Sequence, residues 1–440
     1  MQKQITYQHY NKMVWRQFKK HRPAYFALYV LFILICVALL APIIANEKPL
    51  YAKYGHTTIF PAFSHKKNYT LTKNNETTLQ INAQYDDWKQ LPFDNVIWAP
   101  IPYSPGVKDY ANSNFKSPSG QQFFKSSDGK LIEMPTRFRH WLGTNNLGED
   151  VLAGLIHGTR ISLSIGIISM GIATIVGLLL GMIAGFFGDN ILQTSRGRFW
   201  TTILGFFFAW YYAFHMRTFI LEDALQHSGI AAAFQFLISL CIFAIIVFMF
   251  SFIGKFIGML PFAKKVIHIP ADNIVSRLIE IIHSLPIFIL IITIAAIAKP
   301  SLVNVMIIIG LTSWTGIARF TRAEMLRIRN LEFMQAAQSL GYSRQRMLLK
   351  HALPNGIAPA LVAIAFGIAS AILVESSLSF LGVGVPPESV TWGSLVNEGR
   401  SNFNAWWLVV FPGLAIFITV TTYNLIGEGL RDAFDPKLNN

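Results

Sequence analysis

The chain has 440 residues, of which 52% are hydrophobic and only 14% are charged. Soluble globular domains average about 25% charged residues, so this composition excludes an ordinary soluble protein and indicates repeated burial in lipid. The formal net charge of +14 would suit a nucleic-acid partner, but its distribution along the chain argues against nucleic acid and for a membrane topology.

Eight apolar runs are long enough to cross a hydrocarbon core of about 30 Å, which takes roughly 17–25 helical residues. They lie at 24–45, 160–187, 199–216, 229–254, 276–298, 301–318, 357–381 and 405–427. The runs 199–216 and 301–318 are short, and each also fits a partly re-entrant segment. Pro286 predicts a kink in the run that contains it. The pattern predicts an all-α polytopic membrane protein.

The distribution of Lys and Arg predicts the direction in which these runs cross the membrane. With the amino terminus placed inside, twenty-one Lys and Arg fall in the predicted cytoplasmic pieces, whereas the short outer loops hold only Arg217, Lys299 and Arg400. This contrast is the one described by the positive-inside rule. It predicts that both termini are cytoplasmic.

Residues 1–23 form a basic, aromatic, amphipathic cytoplasmic segment, which either lies on anionic membrane lipid or simply supplies charge before the first span at 24–45. The polar segment 46–158 is predicted to be a small, strand- and loop-rich extracytoplasmic domain that ends in an interfacial helix capped by Thr144 or Asn145. It contains no catalytic constellation and no metal-ligand spacing. A binding or docking role is favoured over a simple stalk.

The second predicted span covers 160–189 and is followed by an insertion, 190–272, that contains two further apolar runs. Basic residues flank these runs on the predicted inner side. An even number of added spans leaves the remainder, 274–440, in the same orientation. The sequence assigns no role to the insertion.

The most informative stretch is the polar, arginine-rich loop predicted at 319–356, which contains EFMQAAQSLG at 332–341 and KHALPN at 350–355. We predict a short helix over 331–340 with Asn330 as N-cap and Gly341 just past its end. The small side chains of Ala336 and Ala337 would let a partner approach closely. This loop is predicted to contact a cytoplasmic partner, since a membrane span does not require it.

A second helix of this loop is predicted to begin after Ser343 and to end at Leu353-Pro354, because a residue before proline leaves the α region. The chain contains no GxxxxGK[ST] phosphate-binding sequence, so any nucleotide-derived energy must come from another subunit.

Glu375 is an ionisable residue within a predicted span, and such residues are functional hypotheses. It lies near the outer end of 357–381, where it could line a translocation pathway with Ser376 and Ser379. The alternative is an interfacial carboxylate that binds backbone groups.

Several motifs resemble the integral-membrane permeases of ABC importers in the dipeptide, oligopeptide and nickel class. They are the 332–355 loop, HWLGTNNLGEDVL at 140–152, FLGVGVPP at 380–387, WG at 392–393 and GEGLRDAFDP at 427–436. The chain is similar to the C-type peptide permeases, in the subfamily with a large amino-terminal periplasmic extension.

The resemblance implies a permease fold with six core transmembrane helices, here with two inserted ones, in a bacterial inner membrane. It implies a permease subunit that is not itself an enzyme and that needs no cofactor or metal. Its partners would be a second homologous permease, two cytoplasmic ATP-binding subunits and an extracytoplasmic substrate-binding protein. Peptides are the implied cargo. The ATPase-docking residues would be Gln335, Ala336, Ala337, Gly341, Leu353 and Pro354.

This chain departs from the family pattern where a glutamate usually precedes the paired alanines, since Gln335 stands there. In the motif at 140–152, Asn145 and Glu149 replace the aspartate and the arginine that are usual in the family. Two rival functions fit the sequence less well. A membrane-embedded enzyme needs facing catalytic groups that the spans lack, and a secondary transporter or channel working without an ATPase would not need the 319–356 loop.

Overall fold

The computed structural model describes residues 7–64, 66–73, 77–83, 86–125, 130–227 and 229–434. Its helices, in chain order, are α1 (Tyr7–Lys20), α2 (Arg22–Ile44), α3 (Val151–Met182), α4 (Arg196–Trp210), α5 (Thr218–His227), α6 (Gly229–Ile257), α7 (Ala271–Ser284), α8 (Ile287–Ile297), α9 (Leu302–Ile328), α10 (Glu332–Ser339), α11 (Arg344–Arg346), α12 (Leu353–Gly356), α13 (Ala358–Phe380), α14 (Trp392–Arg400) and α15 (Trp407–Phe434). Wider π-helical turns extend α3 at Ile183–Phe187 and α4 at Tyr211–His215, and join α11 to α12 at Met347–Ala352.

Within the described residues, six helices are long and apolar enough to cross a bilayer. They are Arg22–Ile44, Val151–Phe187, Phe234–Ile257, Leu302–Ile328, Ala358–Phe380 and Trp407–Phe434. The chain is therefore a multi-pass helical membrane protein. The apolar run 301–318, which is short for a membrane span, belongs to the 27-residue helix α9.

A seventh candidate span is broken. Helices α7 and α8 meet at an angle of 81°, and Pro286 is the residue before α8. The missing N–H and fixed φ of proline end one helix and suit the start of the next. The predicted kink is confirmed, but the bend is sharp enough for a broken or re-entrant span.

Helix α3 starts earlier than predicted. The Asp150 side chain accepts a hydrogen bond from the Ala153 N–H at 2.6 Å and caps the helix. From Val151 the helix continues for 37 residues to Phe187, about 55 Å at 1.5 Å per residue. The predicted interfacial helix capped by Thr144 or Asn145 is therefore wrong, because 151–158 is the first part of the span itself.

The insertion 190–272 forms a helical hairpin. At its base, strand β8 pairs with β9 in an antiparallel ribbon, and α4 packs along α6 with Gly205 against Phe250 and Gly254 against Thr201. Among the described residues of the insertion, α6 is long and apolar enough to cross a bilayer. Helix α4 has 15 residues, fewer than the roughly 17 that a crossing takes, so the second inserted span that we predicted is not found.

Residues 45–150 form a strand-rich domain, as predicted. The strands of the described residues are, in chain order, β1 (Tyr51–Tyr54), β2 (Thr57–Ile59), β3 (Asn68–Lys73), β4 (Thr77–Asn82), β5 (Asn95–Ile97), β6 (Phe123–Lys125), β7 (Leu131–Glu133), β8 (Gln193–Ser195) and β9 (Val266–His268). The antiparallel order is β2-β1-β5, with separate pairs β3-β4 and β6-β7. Single 3₁₀ turns occur at Pro61–Phe63, Trp88–Gln90, Tyr110–Asn112 and Thr136–Phe138.

The strand-rich domain and the segment that follows α9 lie at opposite ends of α3. Near its start, the domain is attached by the bond from Trp407 Nε1 to the Thr144 carbonyl, at 3.1 Å. At its other end, Met182 and Phe186 pack against residues of the segment after α9. Helix α1 and the end of α15 also meet away from the domain, where Phe18 contacts Gly429. Both ends of the described chain are therefore on the side of that segment. Residues 435 and 436 of the last family motif lie outside the described part.

Candidate functional site

The predicted 319–356 loop is shorter in the structure, because α9 extends to Ile328. We call residues 329–356 the basic segment. Its first helix, α10, begins after Leu331, which makes no side-chain cap bond. Asn330 is therefore not the N-cap that we predicted. Its amide instead donates to the Leu326 carbonyl at 3.1 Å and satisfies an acceptor at the end of α9.

Helix α10 ends at Ser339 with Leu340 as its C-cap, and Gly341 lies just past its end, as predicted. Gly341 has φ of +75°, the Tyr342 N–H donates to the Ala337 carbonyl at 3.1 Å, and the Gly341 N–H donates to the Gln338 carbonyl at 2.9 Å. This pair of bonds is the Schellman arrangement of a helix end. A Cβ at Gly341 would meet nothing within 4 Å, so the backbone conformation, and not crowding, requires glycine.

The second helical run starts after Ser343, as predicted, and the Ser343 side chain accepts a hydrogen bond from the Arg346 N–H at 3.4 Å. It does not end at Leu353-Pro354 but continues to Gly356. The π-helical turn gives the reason. The Leu353 N–H bonds to the Leu348 carbonyl, five residues back, so Pro354 falls at the start of a new turn, where a missing N–H costs little.

A methionine-rich cluster joins the basic segment to the transmembrane helices. It consists of Met182, Phe186, Met325, Ile328, Met334, Ala337, Met347 and Ala352. Arg329 adds a hydrogen bond to the Gly185 carbonyl at 3.3 Å. Because the segment is packed against the ends of both α3 and α9, a force applied to it would be transmitted to two spans at once.

The structure divides the predicted docking residues into two groups. Gln335, Ala336, Gly341 and Pro354 are exposed, and Leu353 is half-buried. Ala337 is buried in the methionine-rich cluster, so its small side chain serves internal packing and is not available to a partner in this chain.

The exposed side of the basic segment is apolar and basic. Leu340 is 72% exposed and Leu349 is 57% exposed, and Arg344, Arg346 and Lys350 are exposed beside them. Large apolar residues exposed outside the spans, beside several charges of one sign, are typical of a protein-binding surface. This surface was predicted from the loop sequence, but Leu340 and Leu349 were not singled out.

The predicted pathway residues are buried within the chain. Glu375 is 0% exposed, Ser376 is 6% exposed and Ser379 is 4% exposed. The Ser379 hydroxyl donates to Glu375 Oε1 at 2.7 Å, and the Ser162 and Ser376 hydroxyls lie 3.4 Å from Oε2. The partners of the carboxylate are therefore hydroxyls, of which Ser162 links α13 to α3, and not the backbone groups of the alternative interpretation. Ser376 also borders a groove of about 430 Å³ with Phe288.

A second carboxylate was missed by the sequence reasoning. The Asn145 amide donates to both Glu149 Oε2 and Glu398 Oε2, each at 2.8 Å. Asn145 and Glu149 are the two departures from the family motif, and Glu398 lies 253 positions away. The departures are therefore part of one hydrogen-bonded unit between the strand-rich domain and α14. No local sequence signal identifies Glu398.

Burial raises the pKa of the Glu398 carboxyl from 4.5 to about 7, and the negative charge of Glu149 adds to the increase. The hydrogen bond from Asn145 lowers the pKa but does not cancel these effects. The folded chain thus holds this proton more tightly than the unfolded chain. We expect stability to be greatest below pH 4.5 and to fall as the pH rises to about 7, by at most about 3 kcal/mol. Glu398→Gln is expected to remove that decline and to raise the midpoint of thermal unfolding above pH 7.

The measurement is the unfolding midpoint of the solubilised chain between pH 5 and pH 8. Glu388→Gln, at an exposed carboxylate, is the matched control and should keep the decline. An unchanged decline in Glu398→Gln would contradict the assignment.

Comparisons with known proteins agree with this architecture. The family model described as a binding-protein-dependent transport system inner membrane component matches residues 252–440, and a model described as the N-terminal TM domain of oligopeptide transport permease C matches residues 10–65.

Curated relatives extend the similarity over the rest of the chain. The di/tripeptide transport system permease protein DppC of Pseudomonas aeruginosa is 31% identical over 303 residues, which cover 69% of this chain and 74% of that protein. The inner membrane ABC transporter permease protein YejE of Escherichia coli is 27% identical over 432 residues, 97% of each chain. The peptidoglycan transport system permease protein YejE of Agrobacterium fabrum is 27% identical over 445 residues, 97% of this chain and 93% of that protein.

Proposed function

Because this chain belongs to the family of binding-protein-dependent transport system inner membrane components, we propose that it forms one half of the membrane pore of an ATP-driven importer of short peptides. A second, related permease completes the pore. Two cytoplasmic ATP-binding subunits drive it, and a substrate-binding protein outside the membrane delivers the peptide. The peptide cargo is supported by the names of relatives that are peptide permeases.

The basic segment is the observation that carries this proposal. An exposed, positively charged surface attached to two spans suits a contact through which a partner moves the pore. Inverting a two-state gate from 1:99 to 99:1 takes about 5.5 kcal/mol of differential interaction. We assign that energy to the ATP-binding subunits, which would contact Gln335, Ala336, Gly341, Leu353 and Pro354, while Ala337 supports the contact from below.

We place the basic segment and both ends of the described chain in the cytoplasm, and the distribution of Lys and Arg supports this orientation. The strand-rich domain is then outside the membrane, where it meets the binding protein. Glu375, Ser376 and Ser379 belong to the outer end of the pathway, where the carboxylate holds α13 to α3 and Ser376 borders the groove.

The test is uptake of a labelled tripeptide into proteoliposomes that contain this chain, its companion permease and the ATP-binding subunits. We expect uptake only with ATP on the cytoplasmic side and binding protein on the other side. An ATP-binding subunit with its phosphate-binding lysine replaced is the control and should be inactive. Uptake by this chain alone, driven by an ion gradient, would indicate a secondary transporter and contradict the proposal.

A further inference from the structure

The strand-rich domain contains a cavity that the transport cycle does not require. Its volume is about 640 Å³, and its wall includes Trp88, Tyr103, Tyr110 and Phe124. Small-molecule sites are typically concave, 300–1,000 Å³ in volume, and lined by aromatic and apolar side chains with a few polar groups. The size of this cavity is therefore that of a ligand site. Its wall is more polar than usual, since aromatic side chains alternate there with carboxylates and lysines, and this favours a charged ligand.

One wall carries a half-buried ammonium group that pairs with no anion among the described residues. Lys89 Nζ lies 3.3 Å from the centroid of the Tyr103 ring and 5.4 Å from that of Phe138. Burial lowers the pKa of Lys89 to about 8, and nearby carboxylates only partly offset this effect. Lys89 forms no ion pair or side-chain hydrogen bond with the described residues. A buried cation normally has an acceptor.

The same cavity contains a carboxylate without a donor. Burial raises the pKa of Glu47, while Lys48 and Lys89 attract the charged form from a distance. In the described part of the chain, no side chain or backbone group donates to its carboxylate. Glu47 and Lys89 thus face one cavity with opposite charges and do not pair with each other.

The other carboxylates of the cavity wall already have partners. Asp86 accepts from the Asn82 N–H at 2.7 Å, and Asp87 accepts from the Lys89 N–H at 3.0 Å. Asp109 accepts from the Asn112 amide at 2.8 Å. Among the described residues, Lys89 and Glu47 are thus the half-buried charges of the wall without a hydrogen-bonded or ionic partner, whereas Lys108 and Lys125 are exposed to solvent.

We propose that this cavity binds a small zwitterion of the amino-acid or short-peptide class, with the ligand carboxylate on Lys89 and the ligand ammonium on Glu47. The aromatic side chains enclose the remainder of the ligand. The proposal depends on the charges of the cavity and not on the proposed import, so it is tested on the purified chain without its partners.

The experiment is calorimetric titration of the full chain in lipid nanodiscs with trialanine, N-acetyl-trialanine and trialanine amide. Trialanine is expected to bind saturably. Each blocked form loses one charge–charge hydrogen bond and should bind at least about tenfold more weakly. Equal affinity for the three peptides, or no binding of trialanine at millimolar concentration, would overturn the proposal.

Two variants test which side chain binds the carboxylate of the ligand and which binds its ammonium group. Lys89→Met should abolish the preference for trialanine over its amide and keep the preference over the acetylated form, and Glu47→Gln should do the reverse. Lys108→Met, at an exposed lysine of the same cavity, is the control and should keep both preferences. Since each result is a ratio of affinities within one variant, a general loss of stability does not produce it. Preferences that persist in Lys89→Met and Glu47→Gln would refute the assignment.

Discussion

Gly341→Val is expected to reduce the amount of ATP-binding subunit recovered with the permease by at least about tenfold. Gly341 ends α10 with φ of +75°, and a residue with a side chain costs about 1–3 kcal/mol in this conformation, with β-branched residues among the least tolerant. Relief of that strain would turn the chain after Ser339 and displace Leu340 from the exposed surface. A change of 1.4 kcal/mol corresponds to a factor of ten in binding.

Gly341→Asn is the matched control, because asparagine adopts the left-handed conformation more readily than valine. A Cβ at this position meets no atom within 4 Å, so both variants should insert into the membrane and remain folded. The measurement is the ratio of ATP-binding subunit to permease after affinity purification. Full recovery with Gly341→Val would mean that the end of α10 is not part of the contact.

Gly181→Leu is expected to destabilise the membrane bundle by about 1–3 kcal/mol or to prevent its assembly. Gly177, Gly181 and Gly185 lie four residues apart on the face of α3 that packs on α9. A Cβ at Gly181 would lie 2.7 Å from the Ala318 carbonyl oxygen, and one at Gly185 would overlap the Arg322 carbonyl oxygen. The contacted atoms are backbone, so α9 itself would have to move. Small residues at such spacing allow transmembrane helices to pack closely.

Gly171→Leu is the control on the same helix, since a Cβ at Gly171 meets nothing within 4 Å. It should retain the parent's unfolding midpoint and peptide uptake, whereas Gly181→Leu should lower both. Because α3 and α9 also support the basic segment, uptake in Gly181→Leu should fall even in protein that remains folded. Equal midpoints for the two variants would show that the contact between α3 and α9 is not a major source of stability.

Features that depend on short stretches of sequence could be predicted. Six of the eight apolar runs, the helix end before Gly341, the cap at Ser343 and the break at Pro286 follow from local hydropathy and backbone preference, and the structure confirms them. The run 199–216 does not form a candidate span. The predicted N-cap at Asn330 was wrong because Asn330 bonds to the preceding helix. The predicted stop at Pro354 was wrong because a wider turn accommodates the proline.

The amino-acid order was sufficient to establish a helical membrane protein with a polar basic segment, because burial in lipid and turn formation act over a few neighbouring residues. The tertiary structure alone placed Ser162 beside Glu375, Asn145 beside Glu398, and the cavity between Glu47 and Lys89. These residues are far apart along the chain or carry no periodic signal, and their contacts arise only when separate helices and strands pack. Packing also decided that Ala337 is buried, although its sequence context is that of an exposed loop.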